Sequence, residues 1–151
     1  MNAKAFLEQI EKLDVLIANT EVDVQFWRDI ANNTAVNMSG ERVQSSGSHD
    51  TTAKAICTYL DLEAENEKRI RELAAIRQDI ISVIEQLKPV EYDLLYMRYV
   101  RHKTLTDVAI KYDRSYSWAT TTHSKALRNV QKILDERERH RAELIKQFMK
   151  N

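Results

Sequence analysis

The sequence predicts an all-α protein: a long antiparallel helical hairpin, coiled-coil-like, followed by a helix-turn-helix module with an extended C-terminal helix. Three observations lead there. Helix breakers are scarce, with two glycines and one proline among 151 residues, and good helix formers dominate the rest. Apolar residues recur at helical spacing through most of the chain. The single proline, Pro89, stands between two regions of opposite charge. It predicts a division into residues 1–88, a hairpin for oligomerisation or partner binding, and residues 89–151, the helix-turn-helix module and its tail.

The first helix is expected to start at Ala3. Phe6, Ile10, Leu13, Ile17, Thr20, Val24, Trp27 and Ala31 keep a coiled-coil a/d spacing, with Thr20 as the weak layer. Leu7, Leu16 and Ile30 widen the stripe. This seam also allows dimerisation through the first helix. The stretch from Asn37 to Asp50 contains both glycines and four serines, so it reads as a flexible connection. It lacks the Gly-Lys-Ser/Thr ending of a phosphate-binding loop.

A second long helix, capped by Asp50 or Thr51, is predicted to run to Leu87. Its apolar positions are Ile56, Tyr59, Leu60, Ile70, Leu73, Ile76, Ile80, Val83, Ile84 and Leu87. Glu63, Glu65 and Glu67 read as a solvated helix surface, because only Glu63 and Glu67 share a face and no histidine lies nearby. Cys57 excludes an internal disulfide as the one cysteine. With Ala53, Ile56 and Leu60 at helical spacing, it is expected to be a buried thiol.

Lys88-Pro89 ends the second helix, since a residue before proline is pushed out of helical geometry. The next helix, Pro89 to Arg101, should bury Val90, Leu94, Leu95, Met97 or Arg98, and Val100, with Tyr92, Tyr96 and Tyr99 as core and core rim. Thr104 followed by Asp107 resembles a capping box. The helix from Leu105 to Tyr112 should bury Leu105, Val108, Ala109 and Tyr112, with Ala109 at a helix crossing that wants a small side chain. Asp113-Arg114-Ser115 is the expected turn, with Asp113 at a position of positive φ.

Ser115 is then the cap of a recognition helix. Ala119, Ala126, Leu127 and Val130 face inward. Tyr116, Ser117, Thr120, Thr121 and Ser124 face outward near its N-terminus, where a helix-turn-helix enters the major groove. Lys125 and Arg128 lie further along, suited to phosphates. The candidate DNA-binding residues are therefore Ser115, Tyr116, Ser117, Thr120, Thr121, Ser124, Lys125 and Arg128. Short hydroxyls are permissive readers of bases, so no base preference follows. The bland alternative is a Thr-rich surface on an ordinary bundle, although Thr-Thr-Thr is poor in an exposed helix. Trp118 is expected on the rim of the preceding helix, with DNA sugars or a protein partner as alternatives. The tail carries a thin stripe of Ile133, Leu134, Leu144, Ile145 and Phe148, suited to docking on the hairpin or to self-association.

Charge agrees with this division. Residues 1–88 hold 10 basic and 15 acidic side chains, and residues 89–151 hold 13 and 8. Positive charge thus gathers where a polyanion would need it. Mean hydropathy is −0.52, and no apolar run reaches the ~20 residues of a membrane span. The N-terminus lacks an apolar signal core, which predicts a cytoplasmic protein with no membrane partner. His123 and His140 have no partners at metal-ligand spacing, so no metal site, cofactor or catalytic residue is predicted.

The segment from "LLYMRYV" through "TLTDVAIKYDRSYSWATTTHSKALRNVQKIL" resembles region 4 of bacterial sigma factors, and Ser-Lys-Ala-Leu-Arg is close to that family's helix ending. With "LEQIEKLDVLI" and "SGERVQSSGSHD", nearly the whole chain resembles small regulators encoded by phages and prophages of Gram-positive bacteria, similar in kind to the ArpU and RinA late-gene activators. The resemblance implies a transcriptional regulator of phage genes in a bacterial host cell. It would bind double-stranded DNA, with RNA polymerase as a candidate partner and a homodimer as the expected assembly. The groove-contacting places of the family fall on Tyr116, Ser117, Thr120 and Thr121, where its usual charged residues are absent. Arg114 and Thr122 also replace usual apolar residues. The alternative function is a non-DNA oligomeric helical adaptor or scaffold whose helix-turn-helix serves protein contacts.

Overall fold

The computed structural model describes the backbone of residues 1–37 and 48–150, and the side chains of residues 1–33 and 51–150. The described residues are all-helical. In order they form α1 (Ala3–Leu7), α2 (Gln9–Asn37), α3 (Ser48–Ile84), α4 (Pro89–Leu95), a π-helical turn (Tyr96–Val100), α5 (Leu105–Lys111) and α6 (Tyr116–Phe148). Helix α3 begins at Ser48, inside the stretch expected to be loop, and it ends three residues before Leu87. The remaining expectations for residues 38–47, the phosphate cradle included, lie outside the described residues. No described helix is long and apolar enough to cross a membrane.

The chain divides into two compact units, and neither begins at Pro89. One unit combines Met1–Lys12 with Ala75–Asn151, and the other is Leu13–Ala74. Pro89 marks a helix break inside the first unit. It breaks the chain because Lys88 takes extended geometry (ψ 148°) and proline occupies the first turn of α4.

In the first unit, Leu7, Ile10, Ile80, Val83, Ile84, Leu94, Leu95, Val108, Ala119, Ala126 and Val130 are fully buried. Helix α1 packs on α6, where the Ala3 amide donates to Gln131 Oε1 at 2.7 Å. Arg137 ties α6 to α3 by an ion pair with Asp79 at 2.8 Å and a hydrogen bond to Ser82 at 3.0 Å. The first helix expected from Ala3 is interrupted at Glu8, whose ψ of −8° leaves α1 a short element of its own.

The helix from Pro89 also departs from regular geometry. Its second half widens into a π turn, and the amides of Arg101 and Lys103 reach back to the carbonyls of Tyr96 and Met97. Leu94, Leu95, Met97, Tyr99 and Val100 are all buried. Val90 was expected there too, but it is 40% exposed; Glu91 is the buried residue of that first turn, at 4%. Tyr92 and Tyr96 are half-buried and Tyr99 is buried, the core-and-rim roles expected of them.

The second unit pairs the remainder of α2 with the first part of α3. Arg69 donates to the Thr20 hydroxyl, and Arg28 pairs with Glu63. The contacts climb one helix as they descend the other, so the two segments run antiparallel. The α2 seam is buried or half-buried as expected at Leu13, Ile17, Thr20, Val24, Trp27 and Ala31. On α3 the seam is Ala55, Tyr59, Leu62, Asn66, Arg69 and Leu73, which keeps the same coiled-coil spacing. Ile56, Leu60 and Ile70, expected on the buried stripe, are exposed. On the seam Thr20 sits opposite Arg69, and Asn66 is buried. Cys57 is exposed, correcting the expected buried thiol. Glu63 is half-buried against Arg28, so it is less solvated than expected.

Candidate nucleic-acid interface

Local sequence builds the helix-turn-helix in three steps. Thr104 caps α5, accepting from the Asp107 amide at 3.1 Å, while the Thr104 amide donates to Asp107 Oδ2 at 2.8 Å. The box satisfies two otherwise orphan donors. Hydrogen bonds from the Thr104 side chain and backbone hold the Asp107 carboxyl below its ordinary pKa.

Helix α5 then closes with a Schellman turn. Asp113 takes φ 50°. Its amide donates to Ile110 O at 3.1 Å, and the Arg114 amide donates to Ala109 O at 2.9 Å. An Asp is among the few non-glycine residues that enter this left-handed region readily. Ser115 returns to extended geometry and caps α6, its Oγ accepting from the Trp118 amide at 3.1 Å.

The motif is fastened from behind by Asp93 on α4. Its Oδ2 accepts from the Tyr112 hydroxyl at 2.6 Å and from Lys111 Nζ at 2.5 Å. Burial raises the Asp93 pKa, but the bonds from Lys111 and Tyr112 and the charges of Lys111 and Arg101 outweigh it, so the carboxyl lies below its ordinary range. Burial, then Asp93, pushes the Tyr112 phenol up to about 12. Trp118 rests on the Tyr112 ring with centroids 5.4 Å apart. It therefore occupies the rim of the preceding helix, as expected. Ala109 and Ala119 are buried where α5 and α6 pack.

On α6, Ala119, Ala126 and Val130 face inward and Leu127 is half-buried. Of the eight sequence-predicted site residues, Ser115, Tyr116, Ser117, Thr121, Ser124, Lys125 and Arg128 are exposed. Thr120 is half-buried, which corrects its fully outward placement. Ser117, Thr121, Ser124 and Arg128 follow one another at helical spacing along a single exposed face.

The Thr120, Thr121 and Ser124 hydroxyls are already engaged. Thr120 and Thr121 both donate to Ser117 O at 2.9 Å, and Ser124 donates to Thr120 O at 3.0 Å. What they present outward is acceptor lone pairs and methyl groups, which suit base amino groups and thymine methyls better than phosphate.

Phosphate chemistry rests on the cations. Among the described residues, Arg114 and Arg128 have no ion pair. Lys125 does: its Nζ lies 3.8 Å from Glu91 Oε1. Glu91 Oε2 accepts from Asn129 Nδ2 at 2.9 Å. Sequence reasoning missed Glu91, Asn129 and Arg114. The available signal for Glu91 was a charged residue at a core-spaced position of an apolar helix.

His123 on α6 is half-buried, its Nε2 2.9 Å from the Tyr99 hydroxyl. Burial first, then the charges of Arg98 and Lys4, lowers its pKa. Burial also pushes the Tyr99 phenol up to about 12. Tyr99 thus stays a phenol at neutral pH, and its hydroxyl shares a hydrogen bond with His123 Nε2.

Among the described residues, no group of three or more His, Cys, Asp or Glu side chains could hold a metal ion. Comparison of the chain with known protein families, curated proteins and solved structures finds no match.

Proposed function

We propose that this protein is a DNA-binding transcriptional regulator that acts by binding rather than by catalysis. The first turns of α6 enter the major groove, with Ser117, Thr121 and Ser124 toward base edges and Arg128 toward phosphate. Tyr116 and Thr120 flank that face, and Ser115 begins it. The observation that carries the reading is the capped, Schellman-closed α5–turn–α6 arrangement, which presents an exposed polar face at a helix N-terminus. The resemblance to sigma-factor region 4 extends it to phage and prophage gene control in the bacterial cytoplasm, with RNA polymerase as a partner.

Assembly as a homodimer belongs to the same reading. The α2 seam is taken up by α3 within the second unit, so we assign dimerisation to a different face. Val15, Val22 and Phe26, which share one face of α2 by helical spacing, are large apolar side chains left exposed there. Such surface favours association. Sedimentation across a range of concentrations should give a dimer, and Val22→Ser/Phe26→Ser should shift it to monomer.

Purified protein should retain fragments from a genomic DNA pulldown at low salt and release them as salt rises, because phosphate contacts displace counterions. The Thr120→Ala/Thr121→Ala/Lys125→Glu variant should lose retention. Salt-insensitive retention, or none, would sink the reading. A second reading, an oligomeric helical adaptor without DNA, is favoured by one observation: the Thr120, Thr121 and Ser124 hydroxyls are bound to their own helix. It predicts a captured protein partner and no DNA shift.

A further inference from the structure

Glu91 is the one buried acid among the described residues. It lies in the first turn of α4, and both its partners come from α6. Asn129 Nδ2 donates to Oε2 at 2.9 Å, and Lys125 Nζ stands 3.8 Å from Oε1. Lys125 and Asn129 are one helical turn apart, so a single carboxylate grips one edge of the recognition helix. An open groove of about 400 Å³, lined by Lys88, Pro89, Val90, Glu91, Thr122 and Lys125, surrounds the pair.

A carboxylate removed from water holds its counter-charge harder than an exposed one does, because losing the partner leaves an uncompensated buried charge. The two members are buried unequally: the Glu91 side chain is 5% exposed and Lys125 58%. Lys125 can therefore swing outward, and Glu91 cannot follow.

We propose that Glu91 restrains the DNA affinity of this helix-turn-helix by holding Lys125, so that phosphate must compete with an internal carboxylate for the lysine. The inference rests on the DNA-binding reading above and names a control on that same site. A face of serine and threonine discriminates bases weakly, and non-specific binding is almost wholly electrostatic. A buried acid that withholds one cation lowers that non-specific component and leaves the hydroxyl face intact. Glu91 is a positioning residue: it acts through Lys125.

The test is a double-mutant cycle on duplex DNA, read as affinity against salt. Glu91→Gln keeps an oxygen to accept from Asn129 and removes the charge. It should tighten binding by about three- to tenfold at low salt and steepen the salt slope by about one unit, the increment for one more phosphate contact. Lys125→Gln in the native background should cost about twofold or less and barely move the slope. In the Glu91→Gln background the same change should erase the whole gain. Glu91→Gln that melts like wild type yet binds no tighter overturns the restraint, as does an equal cost of Lys125→Gln in both backgrounds. If Glu91→Gln does not fold, Lys125→Gln alone decides: a loss of a full slope unit shows an unrestrained phosphate contact and overturns the proposal. Absence of binding by wild type and every variant overturns the DNA reading and this inference together. Binding with no Glu91 effect overturns this inference alone.

Discussion

Asp113 and His123 show how far single residues carry the motif. Asp113 alone permits the left-handed step that lets the Arg114 amide reach Ala109 O. A β-branched side chain there meets the following carbonyl, so Asp113→Val should lower stability by about 1–2 kcal/mol in chemical denaturation. His123 couples α6 to pH. Its folded pKa lies below the ordinary 6.5, through burial, Arg98 and Lys4. The unfolded chain therefore binds the proton more readily, and the stability from neutral His123 is complete above the unfolded value. It is lost as pH falls below about 6.5 toward the folded value. Melting temperature should fall between about pH 7 and pH 5, and His123→Gln should flatten that slope. An unchanged slope would show that other groups govern acid sensitivity.

At the scale of elements, the α5–turn–α6 join depends on small side chains at the contact. Ala119 is fully buried and Ala109 nearly so, with Val108 beside them. Helices approach closely only where such residues meet. Ala119→Leu should cost about 1–3 kcal/mol by overpacking, and it should weaken DNA retention beyond what stability explains, because α6 would be displaced on its support. Thermal melting together with the binding assay separates the two effects. The elements themselves were largely legible in sequence. Thr104, Asp113 and Ser115 act within four residues of themselves, so their spacing predicts caps and turn. The π turn was not legible: it is set by what Met97, Tyr99 and Val100 pack against, and no residue in Tyr96–Val100 signals it locally.

At the scale of the molecule, the unit that contains the helix-turn-helix is discontinuous in sequence. Residues 1–12 contribute Leu7 and Ile10 to the same buried set as Val108 and Val130. Leu7→Ala should destabilise that unit by about 2–5 kcal/mol, although it is more than 100 residues from α6 in sequence. Hydrogen exchange on α6 amides should report the loss, and unchanged protection there would show that α1 is dispensable to the motif. A reading that follows the chain from one end sees Pro89 as a boundary. It cannot see that a short N-terminal helix returns to α6.

The sequence by itself determined the helical class, the hydrophobic seam of α2, the capped turn and the inward and outward faces of most of α6. Each of these is set by interactions within about one helical turn, where spacing and side-chain chemistry suffice. Tertiary structure alone decided which face of α3 is buried, where the units divide, that Cys57 is exposed, and that Lys125 is tied to a buried Glu91. These depend on what the partner helix presents. Thr20 accepts a bond from Arg69, Arg28 meets Glu63, and Asn129 reaches Glu91. In each of these pairs a polar group meets another polar group, and that partner lies tens of residues away.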